Sequence, residues 1–382
     1  MKSKLIRITT VPISLDKLLD KQMAFMKDYY KVIAVSSNES FLKKIGEKDG
    51  VDTYCVEMTR KITPFQDVKA IWKLYCFLKK EKPLFVHTHT PKAGMVGMVA
   101  ALLAKVPNRL HTVAGLPLME TKGLKRKVLS LVEKITYKCS TIIYPNSKGL
   151  RDIIINEKLC PEKKIRIIGN GSSNGINTSY FDPINISTLE RADLKESLNI
   201  DSDNFVFIFV GRLVTDKGIN ELISAFDDIS HRNRKVKLLL VGNREPELDP
   251  LKKETLELIS KNSNIIEVGY QPDVRPYFAI SDVLVFPSYR EGFPNVVMQA
   301  GAMGLASIVT DINGCNEIII NDTNGVIIPP KSSFELQRRM ELYLNNNALL
   351  AKHRSNSRKM IVSRYEQEII WRTLLSEYKS LE

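Results

Sequence analysis

Short apolar runs alternate with stretches of helical spacing along the whole 382-residue chain, and the cycle is completed twice. In the first half, residues 5–8, 31–36, 84–87, 142–145 and 165–168 read as strands, with helices at 18–30, 63–80, 94–105 and 122–138. In the second half, strands fall at 205–211, 236–242, 265–269, 283–287 and 306–310, with helices at 219–229, 254–261, 274–281, 295–303 and 334–344. Strand–helix alternation of this kind builds parallel sheets covered by helices on both faces, so the chain is α/β with two doubly wound domains. The stretch 177–199, with Pro183 and several Asn and Ser, reads as the linker, which places the domains at 1–185 and 186–363 ahead of a last helix. Open parallel sheets take ligands beyond the carboxyl ends of their strands, and two such domains imply a site in the cleft between them.

Composition excludes several classes. The longest apolar stretch, 93–104, is bounded by Lys92 and Lys105 and is too short for the ~18 residues of a membrane span. The start, residues 2–11, is too polar for a signal core and reads as a first strand. Cys55, Cys76, Cys139, Cys160 and Cys315 have no Cys-x-x-Cys or metal-ligand spacing and read as reduced residues of a cytoplasmic protein. The net charge of +13 is lopsided: residues 1–185 hold 32 Lys/Arg against 16 Asp/Glu, whereas 186–382 hold 24 against 27. The first half is therefore expected to meet something anionic: lipid headgroups, nucleic acid or a pyrophosphate-linked substrate. No helix-turn-helix, aromatic RNA-binding strand or zinc motif is present, so nucleic acid is not an expected partner.

Three motifs follow predicted strands. Val210-Gly-Arg-Leu-Val-Thr-Asp-Lys-Gly218 puts two cations, Arg212 and Lys217, beyond a strand end and before a helix, where a diphosphate would be held. Gly211 permits a tight turn or close approach to a ligand there. Pro287-Ser-Tyr-Arg-Glu-Gly-Phe-Pro-Asn-Val-Val-Met-Gln-Ala300 turns at Glu291-Gly292, and Pro294 suits a first helical turn. Amides at Phe293, Asn295 and Val296 would then meet phosphate or sugar oxygens, with Gln299 two helical turns from Glu291. Asp311-Ile-Asn-Gly-Cys-Asn-Glu317 is a third strand-to-helix loop.

In this order, with Asn324-Gly325 after them, the motifs resemble those of the family-4 retaining glycosyltransferases of the GT-B fold. His87-Thr-His-Thr-Pro-Lys-Ala-Gly94 and Ile168-Gly-Asn-Gly-Ser-Ser-Asn-Gly-Ile-Asn177 resemble members that build capsule and O-antigen polysaccharides on lipid carriers. The resemblance implies transfer of a hexose or N-acetylhexosamine from a nucleotide-diphosphate sugar, with UDP expected, to a lipid-linked saccharide. It implies Arg212 and Lys217 on the donor pyrophosphate, Glu291 on the transferred sugar, Gln299 in the place of a ribose-binding Glu, and Tyr270 near the base. It also implies a last helix, 364–382, crossing back onto the acceptor-side first domain.

Two departures stand out. Residues 9–14 lack the paired glycines of many members, and Ala114 occupies the place of a histidine, which excludes an acid/base role there. His87 and His89, two apart on one side of a strand end, are with Lys92 and Asn170 the candidates for the acceptor or phosphate side; His111 reads as a strand residue. By the resemblance the leaving phosphate takes the acceptor's proton, so neither cofactor nor metal is expected, and the protein supplies positioning and electrostatics. The basic amphipathic stretch 121–138 reads as a contact with an anionic membrane, placing the protein peripherally at the inner face of the cytoplasmic membrane. A nucleotide-sugar 2-epimerase of the same fold, a phosphorylase, and a non-catalytic polyanion-binding protein are the alternative readings.

Overall fold

The computed structural model describes residues 2–59, 61 and 63–382. In chain order the elements are β1 Lys4–Ile8, α1 Pro12–Leu18, α2 Gln22–Met26, β2 Lys31–Ser36, α3 Glu39–Asp49, β3 Asp52–Cys55, α4 Pro64–Glu81, β4 Phe85–Thr88, α5 Pro91–Leu103, β5 Asn108–Val113, α6 Gly123–Cys139, β6 Ile142–Pro145 and α7 Lys148–Asn156. Then follow α8 Thr188–Ser197, β7 Phe205–Val210, α9 Ile219–Arg232, β8 Val236–Val241, α10 Lys253–Lys261, β9 Ile265–Gly269, α11 Arg275–Ala279, β10 Val283–Phe286, α12 Asn295–Ala302, β11 Ala306–Thr310, α13 Cys315–Ile318, β12 Gly325–Ile328, α14 Ser333–Asn345, α15 Asn347–Tyr365 and α16 Gln367–Lys379. None of the described helices is long and apolar enough to cross a membrane.

The chain forms two compact units, one of Met1–Gly175 with Gln367–Glu382 and one of Ile176–Glu366. The passages lie at 175/176 and 366/367, where the sequence reading put them at 185/186 and 363/364. Ile176, Phe181 and Ile186 belong to the core of the second unit, which draws the first passage forward.

Each unit holds a six-stranded parallel sheet, ordered β3-β2-β1-β4-β5-β6 in the first and β12-β11-β10-β7-β8-β9 in the second. Both are doubly wound, with the strand order reversing between β1 and β4 and between β7 and β10. The central strands of the second sheet, β7 and β10, are continuous apolar runs because both faces are covered. β7, Phe-Val-Phe-Ile-Phe-Val, is buried along its interior, and α9, which packs against β8, buries Ile219, Leu222, Ile223, Phe226 and Ile229, the spacing of one helix face.

In the first unit the two sheet faces carry separate cores. Ile6 and Ile8 join the α4 and α5 side, while Leu5 joins the side covered by α16. α16 buries Ile370, Leu374, Leu375 and Tyr378, each contributing about 1.5–3 kcal/mol.

Three sequence expectations are corrected. The helix expected at 18–30 is only the short α2, Gln22–Met26, with α1 ending at Leu18 and Lys21 between them in a left-handed backbone at φ 58°. Residues 165–168 form no strand; Ile165 makes a single parallel bridge to Ile143. The expected linker contains α8, started by a capping box in which Ser187 and Glu190 satisfy each other's amides.

The end of β7 seats on the end of β10 through Gly218. Its φ is +72°, and a Cβ there would lie 2.2 Å from the Pro287 carbonyl oxygen. Gly218→Ala is therefore expected to lower stability by roughly 2–3 kcal/mol, read as a fall in the urea midpoint; an unchanged midpoint would contradict this packing.

Candidate active site

The glycine contact fixes where the first two motifs meet. With Gly218 against Pro287, the Tyr289 amide donates to the Asp216 carbonyl at 2.9 Å and Arg290 pairs with Asp216 at 2.6 Å. Lys217, just before Gly218, then forms an ion pair with Oε1 of Glu291, and both side chains are mostly buried. Ser288 Oγ donates to the same carboxylate oxygen at 3.1 Å. The third motif joins through Asn313, whose Nδ2 donates to the Glu291 carbonyl at 2.6 Å. Gly314, at φ +77°, packs so closely that a Cβ would lie 2.7 Å from the Gly292 carbonyl. Behind it Cys315 is fully buried; burial first, and then the Glu291 charge, push its thiol well up. Lys217, Glu291 and Asn313 thus stand together beyond β7, β10 and β11, at the point where the strand order reverses.

The other donor-side candidates are arranged around this group. Arg212 is half-exposed and pairs with Glu245 at 2.7 Å, an ion pair of the surface kind, worth at most about 1 kcal/mol and readily exchanged for another anion. The Gly211 amide donates to the Val241 carbonyl at 2.9 Å. Pro294 is the N-cap of α12, with ψ 110°, not a residue of its first turn as the sequence reading had it. Asn295 and Val296 are consequently the first two helical residues, whose amides have no carbonyl within their own helix. The Phe293 ring is buried edge-on against Tyr365 at 5.4 Å, so this residue's side chain belongs to the core. Gln299 is half-buried on α12. Tyr270 is exposed beyond β9, two strands from β7 and not beside Glu291; its amide donates to Asn243 Oδ1 at 3.1 Å.

In the first unit the polar centre is a closed network. Arg7, directly opposite His87 in the β1–β4 register, is fully buried and has no carboxylate partner among the described residues. It donates to His89 Nε2 at 3.0 Å, Tyr378 Oη at 3.0 Å and Gln22 Oε1 at 2.5 Å. These bonds assign the protons. Arginine only donates, so the Tyr378 oxygen accepts from it, and the assignment that also gives the phenol proton a partner has Tyr378 donating to His87 Nδ1, 2.6 Å away. His87 then carries hydrogen on Nε2 and donates to Thr112 Oγ1 at 2.8 Å. His89 accepts at Nε2 and carries its hydrogen on Nδ1. Both imidazoles are neutral: burial, then the Arg7 charge, hold them well below the usual histidine range.

The two rings lie 4.2 Å apart on one side of the strand. His87 has both nitrogens committed. His89 Nδ1, Asn146 Oδ1 and Ser173 Oγ have no partner among the described residues, and these three residues line a cavity of about 20 Å³, room for one water. The other two first-unit candidates lie outside this network. Lys92 is ion-paired with Asp67 at 2.5 Å, and Asn170 is an exposed turn residue. Asn174 is the asparagine that joins the network, its Oδ1 accepting from Gln22 and from Trp371 Nε1 at 3.0 and 2.6 Å. Sequence reasoning missed Arg7, Gln22, Tyr378 and Asn313; the one visible signal was an arginine inside the apolar run Leu5–Ile8.

With this geometry the relatives can be placed. Residues 190–360 match the domain described as glycosyl transferases group 1, and residues 37–171 the glycosyl transferase 4-like domain. Over 378 residues the chain is 33% identical to the capsular polysaccharide biosynthesis glycosyltransferase CapM of Staphylococcus aureus, covering 99% of this chain and 97% of that protein. The chain belongs to this family and is a glycosyltransferase. It is also 33% identical, over 73% of this chain and 70% of the relative, to the UDP-Gal:α-D-GlcNAc-diphosphoundecaprenol α-1,3-galactosyltransferase of Escherichia coli. Among solved structures, a glycosyltransferase of Rickettsia africae superposes with a TM-score of 0.82 at 19% identity, covering 100% of this chain and 98% of that one. Anabaena HepE in complex with UDP gives 0.82 at 18%, with both chains fully covered. At those identities the likeness is one of fold, and the fold is GT-B.

Two outcomes follow from the buried polar groups. Burial holds His111 down to about 4, against a hydrogen bond at Thr88 that acts the other way. Between pH 6.5 and 4 the unfolded chain binds a proton that the folded chain refuses, so stability falls as the pH drops through that window, by about 3 kcal/mol for this group. Urea midpoints at pH 7 and 4.5 should fall less in His111→Gln than in the wild type. Tyr378→Phe leaves a buried Arg7 N–H without its acceptor and His87 without its donor, and is expected to cost about 1–3 kcal/mol in chemical unfolding.

Proposed function

We propose that the enzyme transfers a hexose or N-acetylhexosamine from a UDP-sugar to a lipid-linked saccharide, with retention of configuration, in the synthesis of a bacterial surface polysaccharide. The observation that carries the donor assignment is the Lys217–Glu291 pair, mostly buried beyond β7 and β10. An arriving diphosphate competes for Lys217 as a point charge and draws Arg212 from its weak surface pair as a planar fork. Glu291, released from Lys217, accepts hydrogen bonds from hydroxyls of the transferred sugar. The amides of Asn295 and Val296 add donors to the distal phosphate, and Gln299 serves the ribose by accepting or donating.

In the reaction the bond from the anomeric carbon to the diphosphate breaks, and the bond to the acceptor oxygen forms on the same face. The acceptor's proton passes to the departing phosphate. The residues contribute position and charge stabilisation, and the reading requires no metal or cofactor. The lipid-linked acceptor, assigned to the first unit, and the UDP donor are supported by the activity of the Escherichia coli relative; a Campylobacter jejuni relative, 26% identical over 91% of this chain, likewise acts on a diphospho-undecaprenol sugar. Peripheral attachment at the inner face of the cytoplasmic membrane follows from that acceptor and from the basic first unit.

The test is thermal unfolding with UDP, GDP and their sugars, followed by product analysis with and without a lipid-linked acceptor. A nucleotide at ~100 times its dissociation constant adds about 2.7 kcal/mol, several degrees of midpoint. One nucleotide series is expected to give this shift, and Arg212→Ala and Lys217→Ala to lose it. Each variant should also lose about 3–4 kcal/mol of transition-state stabilisation, roughly 10²–10³ in kcat/KM. No shift with any nucleotide would overturn the donor assignment. A sugar epimerised without acceptor would replace transfer with the epimerase reading.

A further inference from the structure

Two ion pairs join the same two loops of the second unit, and they are formed by consecutive residues. Lys217 meets Glu291, and one position earlier on each loop Asp216 meets Arg290 at 2.6 Å. Their polarity is opposite, because the first loop supplies the cation of one pair and the anion of the other. Asp216 is the more enclosed partner, its side chain 21% exposed against 45% for Arg290. One carboxylate oxygen, Oδ2, takes the guanidinium; the other, Oδ1, is buried and has no hydrogen-bond partner among the described residues.

The backbone holds Asp216 in place. Its amide donates to Asp249 Oδ2 at 2.8 Å, and its carbonyl accepts from the Tyr289 amide at 2.9 Å. The turn Thr215–Lys217 that carries it runs straight into Gly218, seated on Pro287. On the second loop, the Glu291 carbonyl and Gly292 are tied to Asn313 and Gly314, past β11. Between Tyr289 and Gly292 the second loop reaches the first through the two ion pairs.

Donor binding consumes one of these links. A diphosphate that takes Lys217 leaves Glu291 to the sugar, and the tie between positions 217 and 291 is gone. The neighbouring pair does not compete for the donor: Asp216 is an anion, and Arg290 already faces it. We propose that the Asp216–Arg290 pair is the clamp that keeps the two donor loops in register once Lys217 and Glu291 have parted, which makes both positioning residues for transfer. Arg290 has a second effect in the same place. It offsets a carboxylate beside Lys217 that would otherwise repel an incoming diphosphate. The inference rests on the donor reading above and adds two residues to it.

Three variants separate these effects: Asp216→Asn, Arg290→Gln and the two together. Transfer is followed with UDP-galactose and UDP-N-acetylglucosamine as donors and a diphospho-undecaprenol sugar as acceptor. Each single variant is expected to lose roughly tenfold in kcat, the cost of a misplaced reacting group. Arg290→Gln should also raise the donor KM severalfold, because it leaves the Asp216 charge uncompensated, whereas Asp216→Asn should not. The double variant should lose no more kcat than either single one, with the donor KM back near the wild-type value. Arg290→Lys should recover most of what Arg290→Gln loses. Unfolding midpoints without nucleotide should stay close to the wild type, since an ion pair this exposed holds little of the fold, while the rise induced by UDP shrinks in Arg290→Gln. The clamp is overturned if the kcat losses multiply in the double variant, or if both single variants turn over as the wild type does. It is overturned equally if Arg290→Gln lowers the midpoint without nucleotide as far as the midpoint with UDP. Absence of any nucleotide shift in the wild type would overturn the donor reading, and the clamp with it.

Discussion

A parallel strand covered on both faces can expose chemistry only at its ends. The second unit's sheet obeys that constraint, and it decides where every donor-side residue stands. β7 and β10 are apolar through their length, β11 carries only the buried hydroxyls of Ser307 and Thr310, and the polar loops begin at Arg212, Ser288 and Asp311, past the carboxyl ends. The two strands flanking the reversal of order splay their following loops apart, which leaves a space that a ligand can fill. What closes that space to a useful width is backbone contact. Gly218 against Pro287, and Gly314 against Gly292, bring the three loops within side-chain reach. Lys217 and Glu291 meet because two residues beside them have no side chain.

The first unit shows what happens when the constraint is broken. Arg7 sits inside β1, where an apolar residue belongs. A buried guanidinium is costly unless its N–H groups are met, and here neutral acceptors from Gln22, His89 and Tyr378 meet it. The histidines at the end of β4 are thereby drawn into supporting the arginine. Burial first, and then the arginine's charge, lower their basicity, and both nitrogens of His87 are engaged within the network.

Much of this was legible beforehand. The alternation of runs gave two doubly wound sheets because buried parallel strands leave a plain apolar signature. The donor loops were legible because glycine, proline and charged residues cluster where strands end. α8 was missed because it buries no residue and so shows no apolar period, although the Ser187-x-x-Glu190 box was there to read. The break between α1 and α2 depends on a lysine in a left-handed backbone, for which composition gives no warning. The histidines were read as a pair on one face, which they are, but their partners are Arg7 in β1 and Tyr378 in α16, remote in sequence. Spacing along a chain carries no record of a bond spanning 371 residues.

That long bond bears on how the chain is made. Residues 367–382 complete the first unit's core: Tyr378 closes the arginine network, Asn108 donates to the Leu381 carbonyl, and Tyr30 donates to Glu382. On the ribosome these residues are made only after the whole of Ile176–Glu366. The second unit, contiguous in sequence, has all its residues before the first unit has its own. During synthesis the amino-terminal sheet must therefore wait with one face uncovered and a buried cation unanswered, while the unit made after it can already be finished.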